Sequence, residues 1–556
     1  QLRSGRLVLQ AGSRRGSWRI VRGPAQAAAG GGDGLRRQAL ILGAALALCL
    51  AWAAYLGRFD LASGPGEGIV AGPGYTDVTW RLPVLGGLVW AWAVVALLAL
   101  WSAVGGPRRL PLYAAGVVLG FRIAGLGLLP ALVQSYRVEP NELSFERPYL
   151  ERAIQGTRSA WGLGDIQRVS YLPGTRVADE AVAASSASLG NIRLWDWRVF
   201  LDYLEQMQAI RPYYQFLDVD IDRYAAAQGQ RQVELAAREL RPSGLSNPTW
   251  ISRHLEYTHG FGLAMAPVDA VDRRGQPELW VRDIPPAVKP DLGRPLSQPR
   301  LYFGEGEGHE GYVIVGSRAQ EFDFPQGEEN ARTVYAGQDG LPVGGWLRRL
   351  AFALHLGDLE LLLSQDLLPD SRLLLQRQVR QRVQRLAPYL IVDADPYLVV
   401  TEEGRLVWML DAYTATGRRP YAQALRLPEE AGGKQVNQLR NAVKIVLDAY
   451  DGRPSFYVVD PADPIAGAWQ AAFPKLLRPA EEMPEGLKAH WRYPELLFRA
   501  QAQVLERYHL TRPEVFYNGE DRWTSPQETR AQGSSTAMDP YYVTLELRGE
   551  GDVLIH

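Results

Sequence analysis

The chain is almost without cysteine: Cys49 is the only one in 556 residues, and it lies inside an apolar run. That excludes an intramolecular disulfide and any zinc site built on thiolates. Lysine is nearly as scarce, with 5 against 55 arginines. Histidine is sparse and scattered. His254 and His259 in RHLEYTHG are five apart, which is not the HExxH spacing of a zinc protease. No GxSxG is present, so nucleophilic hydrolysis leaves no signature. The stretch GEGEGHEG, residues 304–311, contains a GxGxxG. It leads into the strand-like YVIV rather than a helix, and Glu305, Glu307 and Glu310 would repel a pyrophosphate. A wet loop between strands is the expectation there, and the two histidines are expected to be structural.

Long uncharged runs, by contrast, are present. Residues 39–56, ALILGAALALCLAWAAYL, and 82–104, LPVLGGLVWAWAVVALLALWSAV, contain no charge. A bilayer core of roughly 30 Å needs about 20 such residues in a helix. Trp80 and Trp101 near the ends of the second run suit the headgroup zone. A third run, 110–133, holds Arg122 near its centre. An arginine there either faces other helices or water, or reaches an interface from a tilted helix.

Charge is unevenly placed. Residues 1–134 carry 13 Arg, no Lys and 4 acids, for +9, so the remainder carries −10 of the net −1. An acidic body excludes nucleic acid as its partner. Eight Arg precede the first run, and Arg108 and Arg109 sit in the turn GGPRRLP between the second and third. By the positive-inside rule both segments are cytoplasmic, and three spans then place the rest of the chain outside. The expected organisation is a basic cytoplasmic segment, 1–38; a membrane region, 39–134; and an extracytoplasmic body, 135–556. The lipid bilayer is the expected partner, with another membrane or envelope protein beside it.

The body reads as mixed α and β. Residues 196–210 and 485–508 have helical spacing, as do 435–449, QVNQLRNAVKIVLDA. Residues 345–386 read as two helices broken near Pro369. Short runs bounded by Gly, Pro and Asp, such as VELAAREL, YVIVGS, YLIVDADPYLVV, RLVWMLDAY and SFYVVD, read as strands.

Two acidic patterns carry candidate chemistry. In LDVDIDRY, 217–224, Asp218, Asp220 and Asp222 alternate with Val219 and Ile221. A helix-loop-helix calcium site would need Gly and Glu where Arg223 and Gly229 stand, so that motif fails. Alternation places the three Asp on one strand face, as a solvated face answered by Arg211, Arg223 and Arg231. The sharper alternative is a cation, calcium before others, held by these oxygens. Asp393 and Asp395 in DADP end a strand and form a second candidate for a divalent cation.

Phrases such as VEPNELSFERPYLERAIQGTR, LDVDIDRY, LYFGEGEGHEGYVIVGSRAQEFDFP, LVWMLDAYT, VVDPADPI and MPEGLKAHWRYPELLFRAQ together resemble the uncharacterised membrane protein family UPF 0182. The resemblance runs from about residue 58 to the C-terminus and includes AGPGYTDVTWRLP between the first two runs. It implies a polytopic N-terminal bundle before a large extracytoplasmic domain, and hence that this chain is a fragment. It assigns no activity and no catalytic residue. The reading reached is an integral membrane protein with a non-enzymatic envelope role in binding or scaffolding. The alternatives are a metal-dependent enzyme on envelope glycans or lipids, and a transport component.

Overall fold

The computed structural model describes residues 7–11, 18–22, 29–64, 70–167, 170, 182, 185–226, 229–327, 329–529, 535–547 and 551–555. Much of the basic segment 1–38 therefore lies outside the described residues. The chain forms two compact units. The first comprises residues 1–156 with 418–423 and 511–518, and the second takes the rest.

The first unit is built on three long helices, α1 (Ala29–Ser63), α2 (Leu82–Val104) and α3 (Leu110–Ala160). All three are long and apolar enough to cross a membrane. They touch through small side chains: Ala44 and Ala47 of α1 meet Leu88, Ala96 and Ala99 of α2, with Val118 of α3. Small residues let apolar helices approach closely where lipid offers no hydrophobic drive for association. The outer faces stay apolar, with Leu46, Trp52, Trp90, Leu97 and Val117 exposed. The third apolar run does not end its helix near residue 133. Helical backbone continues to Ala160, slipping into wider π turns at Ala124–Leu128 and Gln134–Val138. Pro130 and Pro140 cannot donate backbone hydrogen bonds, which accounts for the local re-registration.

The stretch AGPGY, 71–75, folds over α3. Tyr75 N donates to both carboxylate oxygens of Glu146 at 3.2 and 3.0 Å. A Cβ on Gly74 would stand 2.8 Å from Glu146 Oε2, so a larger residue would displace that carboxylate. Arg81 closes the turn on Asp77 at 2.8 Å. Two segments from far along the chain complete the unit. Tyr421 N donates to Ala62 O at 3.3 Å, and Tyr517 Oη donates to Glu142 at 2.7 Å.

The second unit is mixed α and β, as its patterning predicts. Its first sheet holds β1 (Asp220–Ala226), β2 (Gly229–Ala237), β3 (Leu263–Pro267), β4 (Val281–Arg282) and β5 (Ala287–Val288), in the order 5-4-3-2-1. Helix α4 (Trp197–Met207) covers it, placing Phe200 and Leu204 on Val219, Ala236 and Ala264. Asp196 caps that helix by accepting from Arg198 N at 3.0 Å. A three-stranded sheet holds β6 (Tyr312–Val315), β7 (Leu341–Pro342) and β8 (Arg372–Leu375), with β8 central. Helices α5 (Trp346–Leu356) and α6 (Glu360–Leu363) lie between β7 and β8 in sequence.

The largest sheet contains β9 (Ile391–Val392), β10 (Tyr397–Val400), β11 (Leu406–Thr416), β12 (Gln438–Asp448), β13 (Pro454–Val458) and β14 (Leu477–Pro479). β11 and β12 pair antiparallel along their full lengths, with a bulge at Ala412/Tyr413. Helix α7 (Glu495–Tyr508) follows.

Two expected elements are corrected. Residues 435–449 contain the central strand β12, not a helix. Ala442–Leu447 are buried on both faces, so the strand has no polar alternation to distinguish it from a buried helix. In 345–386 the helices stop at Leu363. RLLL becomes strand β8 before a further helix at Val379–Leu386.

Candidate functional site

The strand from LDVDIDRY is not a wet face. Val219 and Ile221 are each 7% exposed, but Asp220 and Asp222 are as buried, at 6% and 1%. Arg223 Nη1 reaches Asp222 Oδ1 at 4.0 Å, but the closer partners of the two Asp are not the arginines nearby in sequence. They come from KAHWRYP, 488–494, which lays His490 and Arg492 against the strand with matching two-residue spacing. His490 Nδ1 lies 2.7 Å from Asp222 Oδ2. Arg492 Nη1 lies 3.6 Å from Asp220 Oδ1, and Asp220 Oδ2 accepts from Leu398 N at 2.8 Å. Of the expected partners, Arg231 pairs with Asp269, and Arg223 donates to Trp491 O at 2.8 Å.

Arg492 organises the site. Its side chain is 5% exposed, and Nη2 donates to Asp395 Oδ2 at 2.8 Å. The guanidinium lies over the Tyr397 ring at 3.9 Å and beside Tyr542 at 5.0 Å. Burial pushes Asp220 up to about 8 although Arg492 pulls it down. Asp395 is likewise held well above the usual carboxylate range, by burial first and then by Asp220 and Asp218, against the pull of Arg492. Asp393 does not join its neighbour. It is buried elsewhere and accepts from the Tyr413 hydroxyl. Asp220 and Asp395 thus share one arginine, with Asp218 lining the same cleft, while Asp222 and Asp393 belong to separate contacts. No three His, Cys, Asp or Glu side chains among the described residues converge as a metal cage.

In front of Arg492 opens a cleft of about 290 Å³. Its lining mixes cations, Arg193 and Arg499, with Asp218, Asp395, Glu495 and Asp539. Arg499 is committed to Glu495 at 2.5 Å. Among the described residues Asp218 has no ion pair; its Oδ1 accepts from Val219 N at 2.7 Å. Arg193 stacks on Tyr541 at 4.8 Å and its Nη2 lies 3.7 Å from Asp196 Oδ2, while its Nη1 is buried with no hydrogen bond among the described residues. Behind it, Glu234 is 1% exposed with Oε1 also unpartnered, and burial lifts its carboxyl to about 8.

The expected wet loop holds only for the exposed Glu307, Glu310 and Gly311. Gly304, Gly306, Gly308 and His309 are not solvated: Gly304, Gly308 and His309 are buried and Gly306 packs on Glu239. The loop wraps the Glu239 carboxylate, which accepts from Glu305 N at 2.8 Å and Gly306 N at 2.6 Å and faces His309 Nδ1 at 3.2 Å. Burial alone would raise Glu239, but His309 and the two amides outweigh it and hold the carboxyl low. The glycines are there because Glu239 and Leu240 come so close: a Cβ on Gly308 would stand 2.2 Å from Leu240 O. His254 stacks on Tyr312 at 4.2 Å, and His259 lies between Thr258 at 2.9 Å and Asp323 at 3.3 Å. Arg122 is exposed on α3 and makes no ion pair or hydrogen bond among the described residues.

Sequence reasoning missed Arg492, His490, Arg193, Glu234 and Glu239. The available signal for the first two was HxR, whose spacing matches the DxD it meets.

Three bilayer-length helices joined to a mixed α/β body with a charged cleft define a membrane-associated protein with a large domain outside its apolar helices. Residues 12–553 match the model of an uncharacterised protein family, UPF0182, and the chain belongs to that family. It is 42% identical over 486 residues to a UPF0182 protein of Pelotomaculum thermopropionicum, covering 87% of this chain and 52% of that one. A UPF0182 protein of Cupriavidus necator is 43% identical over 512 residues, covering 90% and 54%. One from Methanospirillum hungatei is 40% identical over 490 residues, covering 87% and 53%. The chain spans about half the length of the curated relatives it matches. No solved structure matches it.

Proposed function

We propose that the protein is a membrane-anchored binding protein without catalytic chemistry, whose body lies outside the cytoplasm and holds a small polar ligand bearing both charges. The observation that carries the binding reading is the cleft before Arg492. It brings into one concave site Asp218, whose carboxylate has no ion pair among the described residues, and Arg193, whose guanidinium has only a long 3.7 Å ion pair with Asp196. A zwitterion supplies a cation for the first and an anion for the second. The metal-enzyme alternative has less support, because Asp393 and Asp395 diverge and Arg492 already supplies the positive charge.

The orientation rests on charge: eight Arg before the first apolar run and Arg108 and Arg109 between α2 and α3 favour the cytoplasmic side for both. In a Cys49→Ala background, an impermeant thiol reagent on intact cells should label Glu430→Cys and miss Arg108→Cys. The reverse pattern inverts the topology. For the cleft, the whole chain in detergent is melted with phosphoethanolamine, glycine and β-alanine, each against its N-acetylated form. Stabilisation by a zwitterion, absent with the acetylated form and lost in Asp218→Asn, is the expected result. A flat response across the set sinks the ligand reading.

A further inference from the structure

Helix α5 is apolar on two sides. Its inner side carries Ala353, Phe352 and Leu356 into a core with Leu255, Ile314 and Leu373. Its outer side repeats the pattern at Leu347, Ala351 and Leu354, spaced i, i+4, i+7, with Trp346 at its start. Leu359 and Leu363 extend that outer face through the turn into α6. Trp346 is 67% exposed, Leu354 71% and Leu363 74%. A lone exposed leucine needs no explanation, but five large apolar side chains on one short hairpin do.

The hairpin is held rigidly, so this face is preformed. Arg349 donates from Nε to Val343 O at 3.1 Å and from Nη2 to Leu367 O at 2.7 Å. Arg348, next to it, is exposed and makes no hydrogen bond or ion pair among the described residues. Asp358 is turned inward, accepting from Trp250 Nε1 at 2.9 Å and from the Tyr312 hydroxyl, which leaves Glu360 as the exposed acid at the start of α6.

Leucines on one helical face, flanked by a tryptophan and an uncommitted arginine, fit a helix lying in the headgroup zone of a bilayer. The arginine complements lipid phosphate. The chain's own spanning-length helices keep a bilayer at high effective concentration. A second protein fits less well, since five outward side chains fall far below the roughly 20 residues a side of a stable protein interface. We propose that the outer face of the α5–α6 hairpin docks on the lipid surface, with Leu347, Leu354 and Leu363 at the acyl boundary and Arg348 on headgroup phosphates.

The test uses the whole chain, Cys49→Ala, in vesicles of phosphatidylethanolamine and phosphatidylglycerol. An environment-sensitive fluorophore is placed at Leu354→Cys and, as a solvent-exposed control, at Glu430→Cys. The Leu354 probe should be quenched by nitroxide on the lipid chains, and its quenching by aqueous iodide should be at least about three-fold weaker than the control's. Adding Arg348→Glu should reduce the lipid-side quenching. Iodide quenching equal to the control overturns the proposal. So does shielding from both quenchers, which would mean that protein covers the face.

Discussion

Arg492 is the residue whose removal should tell most about the second unit. In Arg492→Met, the methionine fills the stem's space over Tyr397 but leaves Asp220 and Asp395 without the cation now 3.6 and 2.8 Å away. Removing one partner of a buried pair costs about 3–5 kcal/mol. Asp395 is only half-buried, so the lower end, about 3 kcal/mol, is the expectation. An unfolding entropy of ~2.1 cal/mol/K per residue over the ~390 residues of this unit converts that to a Tm loss of about 4 °C. The loss should depend on pH in a definite direction. Both carboxyls are held above their ordinary range, so the folded chain keeps protons that the unfolded chain has released. Stability from this pair is therefore present at low pH and is lost as pH rises from about 4 to about 8, and Arg492 offsets part of that loss. Thermal unfolding of the purified chain should show the larger deficit at about pH 8.5 and a much smaller one at about pH 5, where Asp220 is neutral. Adding Asp220→Asn and Asp395→Asn should restore more than half of it. Equal deficits at both pH values, or none at the higher one, would refute the assignment of Arg492 as the cation that answers these acids.

Gly308→Ala drives a Cβ to within 2.2 Å of Leu240 O and should cost about 2–4 kcal/mol, read as lost yield or Tm. Gly345→Ala, which meets nothing, should be neutral. Arg122→Leu should leave Tm unchanged to within about 1 °C, since no buried partner is stranded among the described residues. A fall of several degrees would place a partner for it elsewhere in the protein. Calcium returned to chelated protein should also shift Tm by less than about 1 °C, because Arg492 and His490 already face Asp220 and Asp222. A larger shift that vanishes when Asp218, Asp220 and Asp222 are all changed to Asn would restore the cation.

The apolar runs were legible because lipid solubility is written locally, in about 20 successive residues; α2 matches its run, while α1 extends beyond 39–56 at both ends. Strands such as β2 and β6 were legible from their Gly and Pro boundaries. β12 was not, because a strand buried on both faces loses the alternation that identifies it. The acids of LDVDIDRY were singled out, but their surroundings could not be, since His490 and Arg492 lie roughly 270 residues away in sequence. The Glu239 cradle failed for a related reason. Three acids in GEGEGHEG look like solvent exposure, yet the loop's amides turn inward onto a fourth acid from another strand. Only the glycine spacing hinted that a backbone had to come close to something.

The first unit closes on segments supplied late. Ala62 waits for Tyr421, and Glu142 waits for Tyr517. At ~5–20 residues per second, the roughly 350 residues between Gly156 and Thr511 take on the order of 20–70 s to synthesise. Through that interval the helices can be inserted while their unit is still unfinished, with the Glu142 carboxylate awaiting its hydroxyl. Completion of the N-terminal region is thus scheduled by the ribosome's arrival near residue 518. A premature stop anywhere upstream, even one that spares every apolar helix, would release a chain whose first unit never closes.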